Sequence, residues 1–242
     1  MKTIILAAGA GRRLNAAVPK CMVEVGGRSI LHRQLEAFQA AGLIDHVLVL
    51  GFQADRVRSH LAGRPGRFTF VYNPRYAETN TLYSLYLARA HLAGGAVYAN
   101  ADVLFDRRLP PRLAERVGVS CLAVRAGPCG AEEVKVVADS GGRIRRIGKE
   151  LPPAGALGEF VGVARFEAGA AAALEAGLVE CVEGEARVND YFETALDRLC
   201  DRWPMHAIDV TDLPCCEIDF PADLEHARRE VAPRLLEAGA GV

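Results

Sequence analysis

Cations and carboxylates stand in this sequence where they could handle phosphate. Arg12, Arg13 and Lys20 follow Ala8-Gly9-Ala10-Gly11. Small residues let a backbone turn sharply and bring its N–H groups against phosphate oxygens, and the cations add countercharge. Asp102 follows Asn100-Ala101 at the end of an apolar run. A carboxylate just past a strand end suits Mg²⁺, which takes one or two carboxylates plus phosphate oxygens and water. A plain surface-loop aspartate is the alternative, and Asp106 lies further from the strand end. Near the C-terminus Glu217 and Asp219 flank Ile218 and, in an extended strand, point to one face. Like charges so placed call for a cation between them, unless Asp219 caps the helix whose first turn Pro221 occupies.

The elements that must carry these residues follow from the hydrophobic pattern. Thr3 to Ala7 reads as a buried strand that breaks at the small-residue loop. Ser29 can cap a helix with Ile30, Leu31, Leu35 and Phe38 on one face and Gly42 as its stop. Strands are expected at His46–Leu50, Phe68–Val71 and Ala96–Asn100, with a helix over Ala54–Leu61. Thr79 or Asn80 caps a further helix bearing Leu82, Leu85 and Tyr86. This alternation predicts an α/β fold, a Rossmann-like, mostly parallel sheet with helices on both faces, whose ligands sit at the carboxyl ends of the strands.

After Asp102 the rhythm changes. Val119–Val124, Val134–Val137 and Arg143–Ile147 read as strands, with a turn at Ser140-Gly141-Gly142. Glu159 and Gly158 open the next one. Pro152–Gly158 reads as a loop and Glu167–Gly177 as a helix. Val188, Phe192, Leu196 and Leu199 fall on one helical face, and Leu224, Ala227, Val231 and Leu235 on another. The tail after Leu236 is expected to fray. A single domain spans 1–242, with a smaller lobe at approximately 105–200.

With 242 residues, half of them hydrophobic, the chain can bury a sizeable core. Its net charge of −1 argues against a nucleic-acid binder. No run reaches the about 18 apolar residues of a membrane span, and the first residues enter a strand without the layout of a secretory leader; the expectation is a cytoplasmic protein. The seven scattered cysteines form no C-x-x-C pair. Cys215 and Cys216 are adjacent and read as reduced thiols, a strained vicinal disulfide being the alternative.

No Gly-Lys-Ser or Gly-Lys-Thr follows the first loop, and Leu14 stands where a dinucleotide-binding loop needs a third glycine. The run Leu6-Ala7-Ala8-Gly9-Ala10-Gly11-Arg12-Arg13-Leu14 with Pro19-Lys20 instead resembles the loop of nucleotidyltransferases that join a nucleoside triphosphate to a phosphorylated small molecule. The short linker to Pro19, and Arg12 where a small residue is more usual, depart from the pattern. Asn80 to Leu87, Asn100-Ala101-Asp102 and Glu217 to Leu224 recur in the family's order. The closest resemblance is to CTP-dependent phosphocholine and phosphonate cytidylyltransferases.

That resemblance implies roles. Leu6 to Gly11, with Ala101, would hold the nucleotide, and Asn80 and Ser84 its base. Arg13 and Lys20 would neutralise the triphosphate. Asp102, Glu217 and Asp219 would hold Mg²⁺. Lys149 would hold the acceptor's phosphate, as well as serving in catalysis, with Glu159, Asp190 and Tyr191 around the rest of the acceptor. For each there is a plainer reading: a solvated lysine at 149, a charge favouring the helix dipole at 190, a capped helix and proline turn around 80. Glu133 and Lys135 receive no role. The expected activity is transfer of CMP from CTP to a phosphonate or phosphocholine-like acceptor, with pyrophosphate released. The alternatives are a sugar-1-phosphate nucleotidyltransferase using UTP, GTP or dTTP, and a non-catalytic nucleotide-binding module. The expected partners are CTP and this small acceptor, with neither nucleic acid nor membrane; a homodimer is left open.

Overall fold

A computed structural model describes residues 1–237; from residue 238 on, the tail expected to fray lies outside that range. The sheet begins from the first strand, β1 (Lys2–Ala7). It lies parallel to β2 (Asp45–Leu50) on one side and β4 (Ala96–Asn100) on the other, with β3 (Arg67–Tyr72) parallel beyond β2. All four run the same way, so their carboxyl ends share one edge. β5 (Val103–Phe105) turns back after β4.

The second half extends the same nine-stranded sheet. β6 (Ser120–Ala126), β7 (Lys135–Ala138), β8 (Ile144–Gly148) and β9 (Gly158–Phe166) belong to it, with β9 antiparallel to β4, β6 and β7. β10 (Met205–Asp209) lies parallel to β6. A short β11 (Cys215–Glu217) pairs antiparallel with β5. The expected mostly parallel sheet covered on both faces is the observed one.

Alternation along β1 divides the core. Ile4 and Leu6 face α3 (Thr81–Leu87), α5 (Ala168–Val179) and α6 (Glu193–Arg202). Ile5 and Ala7 face α1 (Ile30–Ala40), α2 (Ala54–Leu61) and α4 (Leu109–Ala114). Ser29 caps α1 as expected, accepting the His32 N–H at 3.2 Å. Leu224, Ala227 and Val231 run along the C-terminal helix that starts as α7 (Pro221–His226), packing against Val23, Ile30 and Ile218.

One expected helix is shorter than its pattern. α6 begins at Glu193, so Val188 is not on its face. The backbone of 188–190 instead serves the start of α3: Asn80 and Leu82 donate to the Val188 and Asp190 carbonyls at 3.1 and 3.2 Å. Helix starts leave N–H groups without partners, and this loop satisfies them. The cysteines are free thiols, and Cys215 and Cys216 face different core clusters, as successive strand residues must.

Phe192 anchors this loop. It is fully buried, 4.2 Å from the Tyr98 ring and 6.0 Å from Phe160 between centroids. Phe192→Ala is expected to lower stability by about 3–5 kcal/mol in urea unfolding; a loss under about 1 kcal/mol would show that the loop does not depend on it.

Candidate active site

The first loop turns where β1 ends. The Ala8 carbonyl accepts the Phe52 N–H at 3.0 Å, and Gly51 admits this approach: a Cβ there would lie 2.7 Å from the Ala8 oxygen. Gly11 has φ +58°, and its added Cβ would meet Lys20 Cβ at 3.2 Å. A side chain at 11 would therefore be strained and would press on the lysine.

Asp102 is held by contacts remote in sequence. The buried Gln34 amide donates to the Asn100 and Val103 carbonyls at 2.8 and 2.7 Å, fixing the turn from β4 to β5. The Ile218 N–H donates to the Asp102 carbonyl at 3.1 Å, and β11 places Glu217 opposite Val103. Glu217 and Asp219 share a face while Ile218 is buried behind them. Asp223, in the first turn of α7, closes the helix start by accepting the N–H groups of Asp219 and of the N-cap residue Phe220 at 2.9 and 2.7 Å. The carboxylate of Asp219 is thereby left for the site, and its alternative reading as the helix cap is set aside.

Each of Asp102, Glu217 and Asp219 presents one oxygen within 4.8 Å of the others. Lys20 donates to Asp102 at 2.8 Å and also to Asp219, to which Arg13 is bound as well. Burial opposes the charge on Lys20, but Asp102 and Asp219 outweigh it and hold its pKa above the ordinary value. Glu217 is open to the cavity yet surrounded by protein mass. That desolvation, with repulsion from Asp102 and Asp219, pushes its pKa up to about 8. Asp102 Oδ1 is buried without a hydrogen-bond partner. An all-oxygen set with an orphaned acceptor and a carboxyl resisting ionisation fits a hard divalent cation such as Mg²⁺.

These groups line a cavity of about 1050 Å³ at the carboxyl edge of β1 and β4. Leu6, Ala7, Ala8, Gly9, Gly11, Arg13, Lys20, Asn80, Ser84, Ala101, Lys149, Glu159 and Tyr191 are on its wall; Ala10 and Asp190 are not. Asp190 pairs with Arg187, 2.9 Å from its carboxylate. Ser84 is buried and its hydroxyl accepts from Asn73 at 3.1 Å, while the Asn80 side chain caps α3. Lys149 pairs with Glu132 at 2.7 Å.

Residue-by-residue reading missed Arg125, which lines the cavity and binds Glu159, and Asn73, the buried hub beneath Ser84 and Thr79. It also missed Glu193, whose position at a helix start gives it the look of an ordinary dipole-favouring acid. Lys135 is structural: fully enclosed, it donates to the Ala131 and Lys149 carbonyls at 2.8 and 2.6 Å.

The profile of the MobA-like NTP transferase domain matches residues 3–128. The chain belongs to this family. Among its relatives, the choline-phosphate cytidylyltransferase of Streptococcus pneumoniae is 34% identical over 108 residues, covering 43% of this chain and 46% of that protein. The CMP-5'-(3-aminopropyl)phosphonate synthase of Streptomyces rubellomurinus is 33% identical over 128 residues, covering 51% and 20%. The chain thus matches less than half the length of these two relatives. In structure, this NTP transferase chain resembles the CTP:phosphocholine cytidylyltransferase of Streptococcus pneumoniae (TM-score 0.80, 22% identity, 94% of this chain and 97% of that one). The inositol-1-phosphate CTP transferase of T. maritima is similar at TM-score 0.79 and 22% identity, covering 100% and 97%. These likenesses show the shared fold.

Because Glu217 must ionise to ligate a metal, Mg²⁺ binding at pH 7 is expected to release a proton. Titration calorimetry in buffers of different ionisation heat would reveal it, and Glu217→Gln should abolish it; buffer-independent heats in the unaltered protein would contradict the assignment.

Proposed function

We propose that this protein is a Mg²⁺-dependent cytidylyltransferase that transfers CMP from CTP to a phosphonate or phosphocholine-like acceptor. The observation that carries the reading is convergence: Leu6–Gly9 and Gly11 of the first loop, the cations Arg13 and Lys20, and the carboxylates Asp102, Glu217 and Asp219 meet in one cavity. CTP is the nucleotide named for the T. maritima structural neighbour and for the CTP:phosphoglutamine cytidylyltransferase of Campylobacter jejuni, which is 23% identical over 93% of this chain. Within the described residues no helix is long and apolar enough to cross a membrane. The proposed setting is the cytoplasm.

In this reading an acceptor oxygen attacks the α-phosphorus in line. The bond from that phosphorus to the bridging oxygen breaks, and pyrophosphate leaves. The protein's part is positioning and charge stabilisation. Backbone N–H groups of the first loop hold the phosphates, and Asn80 lies at the base end. Arg13 and Lys20 offset the charge of the triphosphate and of the leaving pyrophosphate. Lys149 and Arg125 face the acceptor's anionic end, within the lobe at 105–200. Mg²⁺ on Asp102, Glu217 and Asp219 would act as a Lewis acid and reduce repulsion between the two anions.

The test is pyrophosphate release with Mg²⁺, offering CTP, UTP, GTP, ATP and dTTP against phosphocholine, several phosphonates and several sugar 1-phosphates. Release with CTP and a phosphonate or phosphocholine is expected. Release only from another nucleotide with a sugar phosphate would contradict the base and acceptor assigned; CTP binding without release would favour a non-catalytic module. Removing a cation aimed at developing charge costs about 3–4 kcal/mol. Lys20→Ala is therefore expected to lower turnover at least about a hundredfold with the fold intact, and near-normal steady-state turnover would refute the role.

A further inference from the structure

Packing alone does not explain the hydroxyl of Tyr98. The residue is fully buried in β4, its ring centroid 4.2 Å from that of Phe192. A phenylalanine would fill the same space, and a buried tyrosine hydroxyl needs a partner. The partner stands two residues on, along the same face of the strand: the hydroxyl donates to Oδ1 of Asn100. Asn100 is half-buried and on the cavity wall. Its carboxamide is thereby turned one way, with the oxygen held by Tyr98. Nδ2 meets no acceptor among the described residues, and it is open to the cavity rather than enclosed.

Other contacts hold the amide in place. The Asn100 carbonyl accepts from the buried Gln34 amide at 2.8 Å, so the backbone is fixed as well. On the other side the pairing of β9 with β6 shifts register between Phe160 and Ala164, and Gly162 within that stretch has φ +76°. A Cβ added there would lie 3.0 Å from Asn100 Nδ2 and 2.9 Å from Val103 Cγ2. The glycine leaves the room that the amide occupies.

Position decides what this donor meets. Asn100 pairs with Leu6 of β1, which leads into the first loop, and lies against Gly162 of the smaller lobe. On the nucleotidyl-transfer reading above, the loop holds the phosphates and the lobe receives the acceptor, so the α-phosphorus comes between them. We infer that Asn100 is a catalytic residue of that transfer, its Nδ2 donating to a non-bridging oxygen of the α-phosphate, and that Tyr98 is the positioning residue that keeps the amide nitrogen rather than its oxygen toward the substrate. Asn100 neither gives nor takes a proton. It stabilises charge on the phosphoryl oxygens while the acceptor oxygen bonds to phosphorus and the bond to pyrophosphate breaks. A donor already held in place needs no rearrangement during the reaction. A carboxylate at 100 would accept the tyrosine hydroxyl equally well. Beside Asp102, Glu217 and Glu159 on the same wall, however, it would repel the incoming anions and offer them no donor.

The test is a double-mutant cycle on kcat for CTP-dependent pyrophosphate release, with CTP affinity and urea unfolding measured alongside. Asn100→Ala is expected to lower kcat about a hundredfold, with CTP affinity changed less than about threefold, because the contact strengthens only in the transition state. Asn100→Asp keeps the bond from Tyr98 and removes the donor; it is expected to lose at least as much. Tyr98→Phe frees the amide to turn over and is expected to lower kcat about tenfold. The double variant Tyr98→Phe/Asn100→Ala is expected to match Asn100→Ala, since Tyr98 acts through Asn100. Near-normal kcat in Asn100→Ala or Asn100→Asp would overturn the catalytic role while leaving CMP transfer standing. A double variant slower than Asn100→Ala by the full Tyr98→Phe factor would overturn the positioning role. Silence of the unaltered protein with every nucleotide and acceptor defeats the functional reading itself, and this inference with it.

Discussion

Three carboxylates from two separate stretches of chain, crowded within 4.8 Å of one another, are the constraint around which this molecule is arranged. Charges so close repel strongly wherever water is partly excluded. Within the chain Lys20 offsets that repulsion, bridging Asp102 and Asp219, and Arg13 assists from the more exposed side. Burial first, and then repulsion from Asp102 and Asp219, still hold the Glu217 pKa above the ordinary carboxyl range. On the proposed function a divalent ion would complete the offset, and a triphosphate would then give Lys20 and Arg13 a second anionic partner, so that metal, nucleotide and cations would be coupled by charge balance.

The fold delivers this arrangement by bringing distant segments to one edge. β1 ends in the small-residue loop and β4 ends beside Asp102, because the two strands are parallel neighbours. β11 reaches the same point by pairing with β5, which carries Glu217 to Val103. Gln34 in α1 pins the turn between β4 and β5 from behind. None of these contacts is itself chemical, yet loss of any one would move a carboxylate.

Much of this was legible from residue type and spacing. The alternation of strands and helices up to Asn100 follows hydrophobic period alone, and the small-residue loop, Lys20 and the Glu217–Asp219 pair stand out as chemistry. The resemblance supplied the grouping of Asp102 with Glu217 and Asp219, which no local pattern contains. What escaped depends on tertiary partners. Val188 has helical spacing, but the N–H groups at the start of α3 claim the backbone of 188–190. Arg125 and Glu193 look like ordinary surface charges until the sheet and α6 carry them to the cavity.

The most direct test of the charge-balance account is electron paramagnetic resonance of Mn²⁺ titrated into the protein with and without CTP. Mn²⁺ is expected to bind weakly alone and much more tightly with CTP, and both Asp102→Asn and Asp219→Asn should lose at least about a hundredfold of that affinity, in line with about 3 kcal/mol for an uncompensated ligand. Equal Mn²⁺ binding in the presence and absence of CTP, unaffected by either substitution, would show that these carboxylates are not the metal site and would contradict the account.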